Sequence, residues 1–201
     1  MRIVLASSSP RRREILNLIG LKDFEIIPPK VDEIKVSKPN DVKFNALVKA
    51  KFVADLFKKQ RQNVLIIASD TAVFLKNKFL EKPSSVEEAK SMLRNLSGNW
   101  HTVYTSLAVL KLNESGKLEK RLRLYSTRVK FKKLTEREID WYISTGEPLD
   151  KAGAYGIQGY GAIFIEKLVG DYFTVMGLPA NGLYETLREL LGEGKILELL
   201  K

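Results

Sequence analysis

Two groups of residues in this 201-residue chain have types and spacing suited to chemistry on anions. The first is Ser7-Ser8-Ser9-Pro10-Arg11-Arg12-Arg13, which follows the apolar run Ile3-Val4-Leu5 and precedes Ile15, Leu16, Leu18 and Ile19 at helical spacing. Ser9 suits an N-cap and Pro10 a first helical position, so hydroxyls, guanidiniums and free backbone N–H groups converge where a strand hands over to a helix. That combination holds phosphate oxygens. The same residues also read as an ordinary helix cap followed by solvated arginines. The second group is Ser69-Asp70-Thr71, after the continuous apolar run Val64–Ala68. An Asp at the end of a buried strand sits where α/β sheets place their sites, as a metal ligand or general base, or else makes an Asx-turn.

Other candidates are single residues. Asp32 and Glu33 are adjacent carboxylates after Pro28-Pro29, suited to a hard cation or to plain solvation. Lys51 borders the apolar face of a helix, and Lys82 precedes Pro83; either could neutralise phosphate, although most lysines on a protein of net charge +10 are solubilising. Gln158, in a Gly-rich loop with Tyr155 and Tyr160, could read a base edge or simply belong to a turn. His101, the only histidine, lies beside Trp100 in a strand pattern and reads as structural, which argues against a Ser-His or Cys-His mechanism and a His-rich metal site; with no cysteine, disulfides and thiolate metal sites are excluded. Carboxylates, lysines, arginines and a hard metal remain, an inventory that fits phosphoanhydride hydrolysis.

The elements that must position these groups follow from periodicity and turn chemistry. Helices are expected from Asn40-Asp41 to about Lys59, from the Ser85–Glu88 capping box to about Leu96, from the Thr135–Glu138 box to Gly146, and over Pro179–Leu191, with further helical turns in the tail Gly192–Lys201. Strands are expected at Phe24–Ile27, Val64–Ala68 and Ala72–Leu75. Trp100–Leu112 and Leu118–Phe131 read as a long hairpin, and Ala162–Leu168 with Tyr172–Met176 as a second. Glu147–Gly161 is too rich in glycine for either regular form. The order predicts a mixed α/β fold with antiparallel pairs in its sheet, without a linker, repeat or domain boundary. Hydrophobic residues make up 44% of the chain, enough for a core, and no apolar run is long enough to span a membrane. The short start before Ser7 does not read as a secretory signal, so a cytoplasmic protein is expected. The basic balance favours nucleotides, nucleic acid or anionic lipid as partners.

With these residues assembled, the chain resembles the Maf family of nucleoside triphosphate pyrophosphatases. The resemblance rests on LASSSPRRREIL (5–16), VDE (31–33), IIASDTAV (66–73), EKP (81–83), MLRNLSGNWHTVYT (92–105), EPLDKAGAYGIQG (147–159) and GDYFTVMGLP (170–179). It implies an elongated α/β sheet with flanking helices of the Maf/inosine-triphosphatase type, residues 1–201 forming a single Maf-like domain with two lobes around a cleft. It implies hydrolysis of a nucleoside triphosphate to the monophosphate and pyrophosphate with a divalent cation, Mg2+ or Mn2+, with Co2+ as a further candidate. By position, Asp70 would be the general base and would ligate metal together with Glu33. Lys51 and Lys82 would act in catalysis, and Ser8, Arg12 and Arg13 would bind the phosphates. Arg11, Thr71 and Gln158 match the branch acting on dTTP and UTP, whereas the 7-methyl-GTP branch has an aromatic residue, Gln and Glu there. Ala72, Phe74 and Ser106 depart from the pattern without removing a site residue. A homodimer without membrane or stable nucleic-acid partners is implied. A nucleic-acid-binding or septum-regulating protein is the alternative.

Overall fold

The structure, a computed structural model, describes residues 1–60 and 62–200. Its centre is a mixed seven-stranded sheet made of β1 (Arg2–Leu5), β2 (Glu25–Ile26), β3 (Val64–Leu75), β4 (Lys78–Leu80), β5 (Trp100–Leu112), β6 (Leu118–Phe131) and β7 (Ile165–Val169). The spatial order is β2-β1-β3-β5-β6-β7, with β4 added to the far end of β3. β1 runs parallel to β2 and β3, and all other pairs are antiparallel. The mixed α/β class and the long β5–β6 hairpin are as the sequence predicts. The inosine-triphosphatase part of that expectation meets only a distant likeness among solved structures, given below.

The strands at Val64–Ala68 and Ala72–Leu75 are one strand. β3 continues through Ser69-Asp70-Thr71 because β5 pairs with it from Val64↔Leu112 to Phe74↔Thr102 without a break. Asp70 therefore lies within a strand, opposite Ser106, and not at a strand end. On the other edge the pairing does break. β1 stops at Leu5↔Ile67, with the Ala6 N–H closing on the Ile67 carbonyl at 2.8 Å, and β4 begins only at Val73↔Leu80. The edge of β3 from Ala68 to Ala72 is left between the two.

Helices cover the sheet unequally. α2 (Pro39–Phe57) lays Ala46, Ala50, Val53, Ala54 and Phe57 over Val64, Ile66 and Ala68 of β3 and Ala108, Leu110 and Leu112 of β5. On the opposite face, α1 (Pro10–Leu18), α5 (Tyr172–Met176), α6 (Ala180–Leu191) and α7 (Glu193–Leu199) bury Ile3, Leu5, Leu65, Ile67, Leu107 and Val109. Farther along that same face, α3 (Val86–Leu96), α4 (Glu136–Ser144) and the short 3-10 turns between 147 and 164 bury Val73, Val103, Val129 and Phe131.

The caps match the sequence in part. Thr135 and Glu138 form the expected reciprocal box on α4. At α3 the Ser85 hydroxyl accepts the Glu88 N–H at 3.1 Å, but the Glu88 carboxylate turns back to Ser84. At α2 the N-cap position is Lys38, and Asp41 accepts the Ser37 and Lys38 N–H groups. At α1, Ser9 makes no side-chain cap, and the Ser7 hydroxyl accepts the Ser9 N–H at 3.2 Å.

The second hairpin does not form. β7 pairs with β6, and Tyr172–Met176 is the helix α5. The Asp171 carboxylate caps it by accepting the Phe173 and Thr174 N–H groups, and Gly177 ends it at φ +110°. Thr127 of β6 fixes Asp171 by accepting its N–H and donating to its carbonyl, both at 2.9 Å. This long-range clamp overrides the β-prone sequence Tyr-Phe-Thr-Val. The tail helix forms as expected over Glu193–Leu199, and Lys201 lies outside the described residues.

Candidate active site

The gap on the β3 edge opens into a cleft of about 670 Å³. Five segments wall it: residues 7–12 at the start of α1, residues 29–36, residues 80–82 at the end of β4, residues 150–157 and residues 175–177. The walls are tied to one another. The Glu81 carboxylate accepts the Val36 N–H at 3.2 Å, and the Glu81 carbonyl accepts the Gly153 N–H at 3.1 Å. Asn45 of α2 holds the second wall by pairing both its amide groups with the backbone of Ile34, at 2.9 and 3.0 Å.

Asp70 is buried on the floor beneath α2. Its Oδ1 accepts a hydrogen bond from Lys49 Nζ at 2.8 Å, and the same ammonium lies 2.7 Å from Glu33 Oε2. One lysine thus bridges two carboxylates, leaving the trio with one net negative charge. Oδ2 of Asp70 has no protein donor among the described residues, so it is available to a water or a cation. Lys49 was missed from the sequence, where Lys51 stood in its place. A helix turns about 100° per residue, so two positions apart lie on nearly opposite sides. Lys51 is accordingly exposed and lines no part of the cleft. The signal was present: Asp41, Asn45 and Lys49 recur every four residues, and all three are buried. A polar stripe within an apolar helix face marks groups aimed at a partner.

Arg12 forms the facing wall. Its Nε donates to the Gly177 carbonyl at 2.9 Å, Nη1 to Ser7 Oγ at 3.0 Å and Nη2 to Thr71 Oγ1 at 3.4 Å. Thr105 Oγ1 donates to the Thr174 carbonyl at 2.7 Å, so in the 3.0 Å contact between Thr71 and Thr105 the Thr71 hydroxyl must be the donor. The Thr71 oxygen is thereby free to accept from Arg12, and each proton in the chain has one place. Burial draws the Arg12 guanidinium below its ordinary pKa, Asp70 and Glu33 oppose that shift, and Arg11 adds to it. An arginine nonetheless stays charged in such a setting. Gly177 is required here. A Cβ on it would meet Thr71 Oγ1 at 3.2 Å, on a left-handed backbone.

The cleft gathers most of the expected residues. Ser8, Arg11, Arg12, Glu33, Asp70, Thr71 and Lys82 all line it. Arg13 points outward and is exposed, and Gln158 lies outside, its Nε2 donating to Glu14 Oε1 at 3.1 Å. Thr71 is committed to bracing Arg12. His101 is buried, with Nε2 2.7 Å from the Tyr155 hydroxyl, in keeping with the structural role expected of it. Burial lowers its pKa to about 4. Six cationic side chains line the cleft (Arg11, Arg12, Lys35, Lys49, Lys82, Lys151) against four carboxylates (Glu33, Asp70, Glu81, Asp150), an excess suited to an anion.

The donor set bears on the metal. Among the described residues no three His, Cys, Asp or Glu side chains group as a metal cage. Two carboxylates do converge, Asp70 and Glu33, and hard oxygens in that number fit a Mg2+-like ion that takes its remaining ligands from phosphate and water.

The chain is 46% identical over 191 residues to the dTTP/UTP pyrophosphatase of Thermotoga maritima, covering 94% of this chain and 89% of that one. It is 43% identical over 191 residues to the dTTP/UTP pyrophosphatase of Aquifex aeolicus, covering 94% and 96%. The dTTP/UTP pyrophosphatase of a Thermoanaerobacter species is 45% identical over 193 residues, again covering 94% and 96%. Among solved structures, a nucleoside-triphosphatase (dITP/XTP pyrophosphatase) of Mycobacterium abscessus is similar with a TM-score of 0.42 at 15% identity, over 100% of this chain and 98% of that one. The family description "Maf-like protein" matches residues 2–190, and the chain belongs to the Maf family.

Proposed function

We propose that this protein hydrolyses dTTP and UTP to the nucleoside monophosphate and pyrophosphate in the cleft at Asp70. One observation carries the reading: the Lys49 ammonium fixed between Asp70 and Glu33, opposite a wall presenting Arg11 and Arg12. The names of its relatives support the pyrimidine branch of the family over the 7-methyl-GTP branch.

The chemistry follows from the groups present. Asp70, held by Lys49 through Oδ1, accepts a proton from water through Oδ2, and that water attacks the α-phosphorus. Lys49 holds Asp70 aimed. Arg12 is locked by Ser7, Thr71 and Gly177, so its remaining N–H groups meet phosphate oxygens without reorganising, and Lys82 neutralises charge on the departing pyrophosphate. Ser8 contacts phosphate from the start of α1. Asp70 and Glu33 would hold a divalent cation, which would supply Lewis-acid stabilisation of phosphate charge, with Mg2+, Mn2+ or Co2+ as the ions to compare. Arg11 selects the pyrimidine directly, Thr71 acts through Arg12, and Gln158 contributes only after exchanging its bond to Glu14. Arg13 has no part in holding phosphate in this arrangement.

No described helix is long and apolar enough to cross a membrane. Action in the cytoplasm as a homodimer completes the proposal, with sedimentation as the check on the dimer. The test of function is pyrophosphate release from canonical and modified nucleoside triphosphates with each cation. Release from dTTP and UTP well above that from purine triphosphates is expected. Equal rates on all of them, or none, would reject the reading.

A further inference from the structure

One end of the sheet is only partly covered on one face. α2 covers that face across residues 64–68 of β3 and 108–112 of β5, and its Val42, with Val36, also packs against Ala72, Phe79, Tyr104 and Leu124. The clusters packed by the other helices lie on the opposite face. Side chains alternate along a strand, so the strand registers place Phe74, Phe79, Trp100, Tyr104 and Arg128 together at that end, Phe79 and Tyr104 beside Val36 and Val42 and the others beyond them. Phe74, Phe79, Trp100 and Tyr104 are partly exposed, and Ser126 and Arg128 between and beside them are exposed.

These groups form a platform. The Phe74 and Phe79 ring centroids are 4.9 Å apart, those of Phe79 and Tyr104 6.0 Å, and the Arg128 guanidinium lies 4.7 Å from the Trp100 ring centroid. Lys167 of β7, opposite Lys130, extends the positive charge along the edge. Among the described strand residues that regular pairing places on this face beyond Asp70, none is acidic, and the exposed Glu166 sits at the β6–β7 bulge beside Lys167. In sequence the aromatic and basic residues are scattered over five strands, β3 to β7, so no aromatic-basic stripe is visible there; register alone assembles it.

Partly exposed rings beside unpaired cations suit one class of ligand. Bases stack on aromatic faces and phosphates meet the cations. A duplex hides its bases, so the strand must be single. A symmetric contact with a second copy would set Arg128 and Lys167 against cations, with no carboxylate on the regularly paired face to receive them. We propose that this partly covered sheet face binds single-stranded nucleic acid, independently of the cleft.

The test is fluorescence anisotropy of labelled oligo(U) and oligo(dT) of about 20 nucleotides, longer than the site a single sheet usually occupies. The full chain should bind both, more weakly as salt rises from about 50 to about 200 mM. Arg128→Glu should weaken binding by about tenfold or more, and Trp100→Ala by about fivefold or more. Lys167→Glu, at an exposed edge position, serves as the second charge variant. All three should keep the melting temperature and the rate of pyrophosphate release. The proposal is overturned if neither oligonucleotide binds at low salt, or if the charge variants bind as the parent does. It is equally overturned if saturating UTP displaces the strand, which would place it in the cleft. A change in sedimentation of Arg128→Glu would make a second copy the occupant. Binding to anionic vesicles but not to oligonucleotides would make it a membrane.

Discussion

Lys49 Nζ lies 2.8 Å from Asp70 Oδ1 and 2.7 Å from Glu33 Oε2, so a single buried ammonium holds the proposed base and its carboxylate partner in register. Two carboxylates this close repel, and a lysine between them offsets that repulsion.

Lys49→Ala should lower turnover by about 100-fold or more, the scale on which misplacing a general base acts. It should also destabilise the fold by about 3 kcal/mol, since it leaves a buried carboxylate unpaired. Lys51→Ala should change neither. Parallel assays and denaturant melts of the two variants decide between the positions.

Arg12→Lys should raise KM and lower turnover although charge is kept, because an ammonium cannot span Ser7, Thr71 and Gly177 together. Arg13→Ala should be close to the parent in both constants. A loss in Arg13→Ala equal to that in Arg12→Lys would contradict the assignment of the two arginines.

Gly177→Ala should destabilise by about 1 kcal/mol or more, because its left-handed backbone disfavours a Cβ and the methyl presses on Thr71 Oγ1. Activity should fall further than stability does, since the Gly177 carbonyl holds Arg12. Thermal melts and steady-state kinetics at one temperature separate the two effects.

His101 gives a pH dependence. Its pKa is about 4 in the fold against 6.5 for the free side chain, so the unfolded chain binds the extra proton first. This contribution to stability is complete above pH 6.5, declines as pH falls toward 4, and is absent below that. Its full size is roughly 3 kcal/mol, by the usual equivalence of pKa shift and free energy. His101→Gln should flatten the stability profile between pH 4 and 6.5, and urea melts across that window test it.

The parts of this molecule legible in the sequence were those set by local chemistry. The Thr135–Glu138 cap, the long hairpin and the strand-to-helix turn at Ser7–Arg12 all stand where their patterns put them. What pairing decides was not legible. Asp70 read as a strand end because polar residues interrupt an apolar run, yet β5 carries the strand through. Tyr172–Met176 has the residues of a strand and becomes a helix because Thr127, more than forty positions earlier, fixes its cap. Arg13 and Gln158 show the same limit. Their types suit the chemistry, but the facing of a helix and one bond to Glu14 turn them from the cleft.

The proposed site makes its sharpest claim about which bond breaks. Hydrolysis of UTP in water enriched in oxygen-18, with the products resolved by mass spectrometry, tests it directly. Attack at the α-phosphorus predicts the label in UMP and unlabelled pyrophosphate. Label in pyrophosphate, or release of orthophosphate in its place, would contradict the account.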